Sequence, residues 1–86
     1  PHLVLLDLNL PGRDGLDVLL RVKNDTKLRR IPIVVLTTSS SDSDVAGAYD
    51  HGANAYVKKP IDLHGWNDVV TKIEAFWFSV AHLPPS

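Results

Sequence analysis

Three short apolar runs alternate along the chain with longer segments in which apolar residues recur every three or four positions. Leu3–Leu6 predicts a strand buried on both faces, because it shows no polar alternation. Ile31–Leu36 predicts a second buried strand, with Pro32 at its beginning, where a missing N–H does least harm. Ala53–Val57 predicts a short third strand. We therefore expect a small sheet of three strands.

Two of the intervening segments carry helix signals. Gly15 to about Asn24 is predicted as a helix after a turn-rich loop. Its expected apolar face consists of Leu16, Leu19, Leu20 and Val22. A second helix is predicted from about Asp42 to His51. It begins with the capping-box pattern Ser41-x-x-Asp44, and Gly52 is expected to end it with a left-handed cap.

The last helix is predicted to start near Asp62. Its apolar stripe is Trp66, Val69, Val70, Ile73, Trp77 and Val80. The order strand–helix–strand–helix–strand–helix predicts a parallel sheet with right-handed crossovers, and hence an α/β fold.

Polar residues close all three predicted strands. They are Asp7, Thr37 and Lys59, and the carboxyl ends of parallel strands share one edge of the sheet. A carboxylate, a hydroxyl and an ammonium group together suit a phosphoryl site. The alternative for Asp7 alone is a carboxylate that caps a turn, and Thr37 alone is an ordinary strand end.

Composition narrows the classes of function. The 86 residues carry a net charge of −1 and no cysteine, so disulfides and thiolate metal sites are excluded. The charge gives no reason to expect nucleic acid or a membrane as partner, and no apolar run has membrane-spanning length. A basic cluster (Arg21, Lys23, Lys27, Arg29 and Arg30) is interpreted as a solvated helix end and loop; a docking surface for an acidic partner is the alternative.

Three motifs in order and at these spacings resemble the receiver domain of two-component response regulators. They are Asp7-x-x-x-Pro11-x-x-x-Gly15, the strand ending at Thr37, and Gly52-Ala53-x-x-Tyr56-x-x-Lys59-Pro60. The resemblance implies a flavodoxin-like, doubly wound α/β fold with strand order 2-1-3-4-5. Residues 1–86 would be the C-terminal portion of one such domain, from its third strand to its final helix, that is, its last three β-α units.

Within that family the chain most resembles the single-domain regulators that partner bacterial and cyanobacterial phytochromes. The segments that carry this likeness are Leu8-Asn9-Leu10-Pro11-Gly12-Arg13-Asp14-Gly15, Val35-Leu36-Thr37-Thr38-Ser39-Ser40, Phe76-Trp77-Phe78 and Leu83-Pro84. The resemblance implies a cytoplasmic signalling protein, not a turnover enzyme. Its implied partner is a sensor histidine kinase, with a phytochrome as the candidate.

Carried over residue by residue, the resemblance assigns Asp7 as the phosphoacceptor and as a Mg²⁺ ligand, together with the backbone carbonyl of Asn9. Lys59 would pair with a phosphoryl oxygen, and the Lys59–Pro60 bond is a candidate cis bond. Thr37 and Tyr56 would be the switch residues that move after transfer. The alternative for Tyr56 is simple packing on a half-buried strand.

One departure from the family pattern concerns the metal. The family holds Mg²⁺ with a pair of acidic residues at the end of its first strand, and this chain begins at the equivalent of the third. The chain is therefore expected to be a fragment of a receiver, or to pair its open edge with a second copy. The rival hypothesis is a truncated or degenerate receiver that acts only as a structural or dimerisation module. A small flavin-binding domain is a third hypothesis. It is disfavoured because a cofactor phosphate would be repelled by the negative charge of Asp7.

The aromatic triplet Phe76, Trp77 and Phe78 predicts an interface. Three successive residues cannot all lie on one side of a helix. At least one ring is therefore exposed or buried against a partner, and we expect a homodimer that involves this helix.

Overall fold

The computed structural model describes residues 2–9 and 14–85, in which strands and helices alternate. The strands are β1 (Val4–Asp7), β2 (Ile33–Thr37) and β3 (Ala55–Lys58). The helices are α1 (Gly15–Asn24), α2 (Asp42–Asp50) and α3 (Leu63–Ala75), and a π-helical turn, Phe76–Val80, continues α3. The motif residues Pro11, Gly12 and Arg13, with Leu10, lie outside the described residues.

The three strands form one parallel sheet in the order β1-β2-β3, which confirms the predicted α/β fold. Side chains of β2 alternate between the two faces of the sheet. Ile33 and Val35 pack with Leu19 of α1 in one apolar cluster. Val34 and Leu36 pack with α3 in the other. The central strand thus supplies the core of both layers.

Strand β1 differs from its prediction as a strand buried on both faces. It lies at the edge of the described sheet, with β2 on one side only. Leu5 is 41% exposed, although it is as apolar as any residue of β2. The local pattern of leucines is right for a strand, but burial requires neighbours on both edges of the strand.

Two strands begin later than predicted because the backbone N–H groups of their predicted first residues bond to the preceding turn or helix and not to a neighbouring strand. The N–H of Ile31 donates to the carbonyl of Leu28 in a turn, so β2 starts at Ile33. The N–H of Ala53 donates to the carbonyl of Ala48 in α2, and β3 starts at Ala55.

Each helix begins at a side-chain cap. Asp14 accepts from the N–H groups of Leu16 and Asp17 and so starts α1. Ser41 caps α2 by accepting from the N–H of Asp44, and Asp62 caps α3 by accepting from the N–H of Gly65.

Two details of the helical predictions are wrong or incomplete. Leu20 is exposed, because it points away from the face on which Leu16, Leu19 and Val22 pack. Only half of the predicted capping box forms, since Asp44 bonds to Ser39 instead of back to Ser41 N–H. Gly52, with φ of 104°, provides the expected left-handed turn after α2.

The end of α3 departs from the predicted stripe. The N–H of Ala81 donates to the carbonyl of Phe76 at 2.7 Å, which closes the wider π-helical turn. This turn rotates the following residues off the packed face. Val80 is consequently exposed instead of joining the core. Among the described residues, the helices are too short and too polar to cross a membrane.

Candidate functional site

Asp7 and Lys59 form an ion pair at the carboxyl edge of the sheet. The Lys59 Nζ donates to Asp7 Oδ2 at 2.7 Å, and the two side chains remain 26% and 27% exposed. The two residues are 52 positions apart in sequence and meet because β1 and β3 run in the same direction. The backbone N–H of Lys59 also donates to the carbonyl of Thr37 at 2.8 Å, which fixes this end of β3 against β2.

The peptide bond between Lys59 and Pro60 is trans, so the prediction of a cis bond is wrong. With the bond trans, Lys59 reaches Asp7 directly from the end of β3. The arrangement of the site needs no cis isomer.

The second carboxylate oxygen of Asp7 is held by the backbone. The N–H of Asn9 donates to Asp7 Oδ1 at 2.8 Å. The hydrogen bond from Lys59, and after it the one from Asn9, lowers the pKa of the Asp7 carboxyl below its ordinary value. The Asp7 carboxyl is therefore ionised at neutral pH, oriented at both oxygens and still reachable from solvent.

The side chain of Asn9 has a role that the sequence analysis missed. Its Oδ1 accepts from the N–H of Thr38 at 2.8 Å, so it joins the loop after β1 to the loop after β2. The N–H of Leu8 donates to the carbonyl of Leu36 at 2.9 Å and extends the strand pairing to the same point. An asparagine placed just after a buried strand was the available signal, because such side chains commonly bond to nearby backbone.

Thr37 and Tyr56 meet at one residue, Ser39. The Thr37 Oγ1 accepts from the N–H of Ser39 at 3.3 Å, and the Tyr56 hydroxyl donates to the carbonyl of Ser39 at 2.8 Å. The structure thus brings both predicted switch residues to the loop between β2 and α2. In this conformation the Thr37 hydroxyl bonds to Ser39 and the Tyr56 ring is half-buried.

The same loop is tied to α2 by a second set of bonds. The Ser39 hydroxyl donates to Asp44 Oδ2 at 2.5 Å. This bond, and after it the one with Ser41, lowers the pKa of the Asp44 carboxyl. A movement of Ser39 would therefore reach the first turn of α2.

The oxygen atoms at this site are ligands of the kind that a hard cation such as Mg²⁺ prefers. Asp7 offers a carboxylate and Asn9 a backbone carbonyl, and Mg²⁺ is commonly held by one or two carboxylates while it keeps several waters. In the part of the chain that the structure describes, no three histidine, aspartate or glutamate side chains converge as a metal cluster. The described residues thus supply a minimal set of oxygen ligands.

The three aromatic residues at the end of α3 separate as predicted. Trp77 packs against the cluster that contains Val34 and Leu36. Phe76 stacks edge-on against Trp77, with ring centroids 5.3 Å apart, and Phe78 is 55% exposed. Only one of the three rings therefore enters the core.

Fold and site together define a doubly wound α/β domain with an ionised aspartate at the carboxyl edge of its sheet. The chain belongs to the response regulator receiver domain family, which it matches over residues 1–72. It is 45% identical over 84 residues to the response regulator Rcp1 of Synechocystis sp.. That match covers 98% of this chain and 57% of Rcp1, so the chain spans little more than half of this relative.

Solved structures agree with this assignment. The chain superimposes on the phosphorylated cyanobacterial phytochrome response regulator RcpA with a TM-score of 0.93 and 47% identity, covering 99% of this chain and 61% of that one. The Mn²⁺-bound form of Rcp1 gives a TM-score of 0.89 at 45% identity, with the same coverage of both chains. The flavodoxin-like fold and the resemblance to phytochrome response regulators are thereby confirmed.

Proposed function

We propose that this protein takes a phosphoryl group from a phosphohistidine of a sensor histidine kinase onto Asp7. The observation that carries the proposal is the ionised, doubly bonded Asp7 beside Lys59 at the edge of the sheet. One carboxylate oxygen forms a bond to phosphorus as the N–P bond of the phosphohistidine breaks, and the electron pair returns to the imidazole nitrogen, which takes up a proton. The product is an acyl phosphate.

The neighbouring groups have distinct parts in this transfer. The Lys59 ammonium orients the carboxylate before transfer and stabilises phosphoryl charge during it. The Asp7 carboxylate and the Asn9 carbonyl would hold Mg²⁺, which would neutralise charge on the transferring group. The Mn²⁺-bound form of the relative Rcp1 supports a divalent ion as the cofactor.

The proposed switch follows from the bonds at Ser39. The Thr37 side chain turns to donate its O–H to a phosphoryl oxygen, and in turning it gives up the bond that its oxygen accepts from the Ser39 N–H. The Ser39 backbone then shifts, and the Tyr56 hydroxyl and the first turn of α2 shift with it. The protein is in this proposal a cytoplasmic signalling component and not a turnover enzyme.

Exposed apolar residues beside the site support a protein as the phosphodonor. Ile61 is fully exposed and Leu63 largely so, and both follow Lys59 within four positions. Exposed apolar residues grouped at a charged site mark protein interfaces. We place the helix that carries the kinase histidine against them.

The test is the intact mass of the purified protein before and after exposure to acetyl phosphate with Mg²⁺. We expect the gain of one phosphoryl group, sensitive to hydroxylamine, and its loss in Asp7→Asn. Asp17→Asn is the matched control, because Asp17 is exposed on α1 and pairs with Arg21 away from the site. A gain that persists in Asp7→Asn would contradict the proposal, and no gain at all would favour the structural or dimerisation module.

The end of α3 supports a homodimer as the second part of the proposal. Phe76, Phe78 and Val80 are all exposed there, next to the packed Trp77. Sedimentation should show a dimer that Phe78→Lys converts to a monomer. Leu20→Lys is the control, since Leu20 is an exposed apolar residue on α1. A wild-type protein that remains monomeric at high concentration would refute the dimer.

A further inference from the structure

A cleft of about 360 Å³ lies at the end of the sheet opposite the phosphoacceptor. Its walls come from His2, which precedes β1, and from the loop that precedes β2. The C-terminal prolines Pro84 and Pro85 close a further side. We refer to it as the amino-edge cleft, because the amino ends of the parallel strands face it.

The charge of the amino-edge cleft has one sign. Lys27 and Arg30 line it and are exposed, and none of its described lining residues is acidic. Asp25, the nearest acidic residue in the same loop, is engaged, since its carboxylate accepts from the N–H groups of Lys27 and Leu28. The two cations are thus available to an outside anion.

The remaining lining of the amino-edge cleft is mostly apolar. Leu28 is exposed, and the other apolar residues are Ile31, Pro32, Pro84 and Pro85. Apolar walls with a few placed charges are typical of a binding cleft, and the volume is in the range of known ligand sites. Such a cleft holds an apolar side chain and an anionic group side by side.

The loop that forms the cleft is held in place from inside. The Nζ of Lys23 donates to the carbonyls of Arg29 at 3.2 Å and Ile31 at 2.8 Å. The N–H of Arg29 donates in turn to the carbonyl of Asp25 at 2.9 Å. Lys23 therefore uses its charge on the loop, and the cleft is formed before any partner binds, which lowers the entropic cost of binding.

We propose that the amino-edge cleft docks an acidic segment of a partner protein, whose apolar side chain sits against Leu28 and the prolines while its carboxylates pair with Lys27 and Arg30. Charge complementarity selects this occupant. A nucleic acid is disfavoured because Lys27 and Arg30 are the only lysine or arginine side chains among the described lining residues, too few to follow a phosphate backbone, and the only aromatic ring there is the small imidazole of His2. The inference does not depend on phosphorylation of Asp7.

The test is fluorescence polarisation with a short labelled peptide in which glutamates flank one leucine. We expect saturable binding that Arg30→Glu weakens about tenfold or more, while Arg29→Glu weakens it about threefold or less. These adjacent arginines undergo the same charge change, and only Arg30 lines the cleft. Replacing the peptide's leucine by glycine should weaken binding by a similar factor of about ten, because the apolar contact is lost.

Three outcomes would overturn the proposal. Equal losses in the two arginine variants would mean diffuse attraction and no cleft. Tighter binding of a single-stranded oligonucleotide than of the peptide would reassign the surface to nucleic acid. Self-association that disappears in Arg30→Glu would make the occupant a second copy. Circular dichroism and phosphoryl gain at Asp7, compared with wild type, show whether each variant remains folded and keep this test separate from that of the proposed function.

Discussion

Strands β1 and β2 have nearly the same apolar composition and very different surroundings. Residues 33–37 of β2 are all buried. In β1, Leu5 is exposed and the other three residues are only partly buried. The difference comes from position, because within residues 2–9 and 14–85 β2 has a hydrogen-bonded neighbour on each side and β1 has one. In this sheet, β2 forms the buried core, and the ends of β1 and β3 carry the partly exposed Asp7–Lys59 ion pair.

The largest expected effect compares one residue from each strand. Ile33→Ala should lower the free energy of unfolding by about 2–5 kcal/mol, because it leaves a cavity between β2 and α1. Leu5→Ala should cost about 1 kcal/mol or less, since its side chain is already partly in water. Urea denaturation of both variants measures the difference. Equal losses would show that β1 is covered in solution by another part of the protein or by another chain.

The next effect concerns the hydrogen bonds that the first backbone groups of β2 make with Asn54. The Asn54 Oδ1 accepts from the N–H of Ile33 at 2.9 Å, and the Asn54 N–H donates to the Ile33 carbonyl at 2.9 Å. Asn54→Ala should cost about 1–3 kcal/mol, because a buried N–H is left without a partner. Asn24→Ala, which removes an exposed bond on α1, should cost about 0.5 kcal/mol or less. If the two asparagine variants unfold at the same urea concentration, the Asn54 bond to β2 contributes no more to stability than the exposed Asn24 bond.

A smaller effect on stability is expected at the carboxyl end of β1. Lys59→Ala should change the free energy of unfolding by about 1 kcal/mol or less, because the pair with Asp7 is partly solvated. The same change should slow phosphoryl gain from acetyl phosphate about a hundredfold, since a group that stabilises transition-state charge is lost. Lys58→Ala, an exposed neighbour, is the control. Large loss of stability with little loss of rate would reverse the roles assigned to the two strands.

The smallest effect lies in the loop after β2. Asp44 has a lowered pKa, so its contribution to stability is present above about 3.8 and is lost as the pH falls through its lower folded-state pKa. Ser39→Ala should raise that pKa towards 3.8, because the stronger of its two hydroxyl bonds is removed. NMR titration of the Asp44 carboxyl measures the change, with Ser43→Ala as control. An unchanged Asp44 pKa in Ser39→Ala would show that this bond does not form in solution.

Local sequence patterns predicted most elements of this fold and the convergence of Asp7 and Lys59 at one edge of the sheet. Apolar runs and caps such as Ser41 are local signals, and the parallel order of the strands brings their ends together. The predictions that were wrong concern features set by residues far away in the sequence or by the geometry of a single turn. The exposure of Leu5 depends on which strands flank β1; no local pattern contains that information, and only the family resemblance predicted an open edge there. Val80 left the predicted stripe because a single widened turn changed the helical period.

The side-chain roles that the sequence did not predict share one physical cause. Asn9, Lys23 and Asn54 each bind backbone groups from a different segment of the chain. Such bonds are set by the packed fold, and the spacing of residues along the chain does not encode them. The role of Lys23 emerged only from the carbonyls that it contacts, since the sequence presented it as one member of a basic cluster.

The shared direction of the three strands has a consequence for assembly. The amino-edge cleft and Asp7 lie at opposite ends of β1, which is four residues long, so they are separated by on the order of 10 Å or more. A ligand at either end leaves the other end accessible. The two partners proposed above would therefore bind simultaneously in a ternary complex, and their binding free energies should add unless the sheet itself deforms.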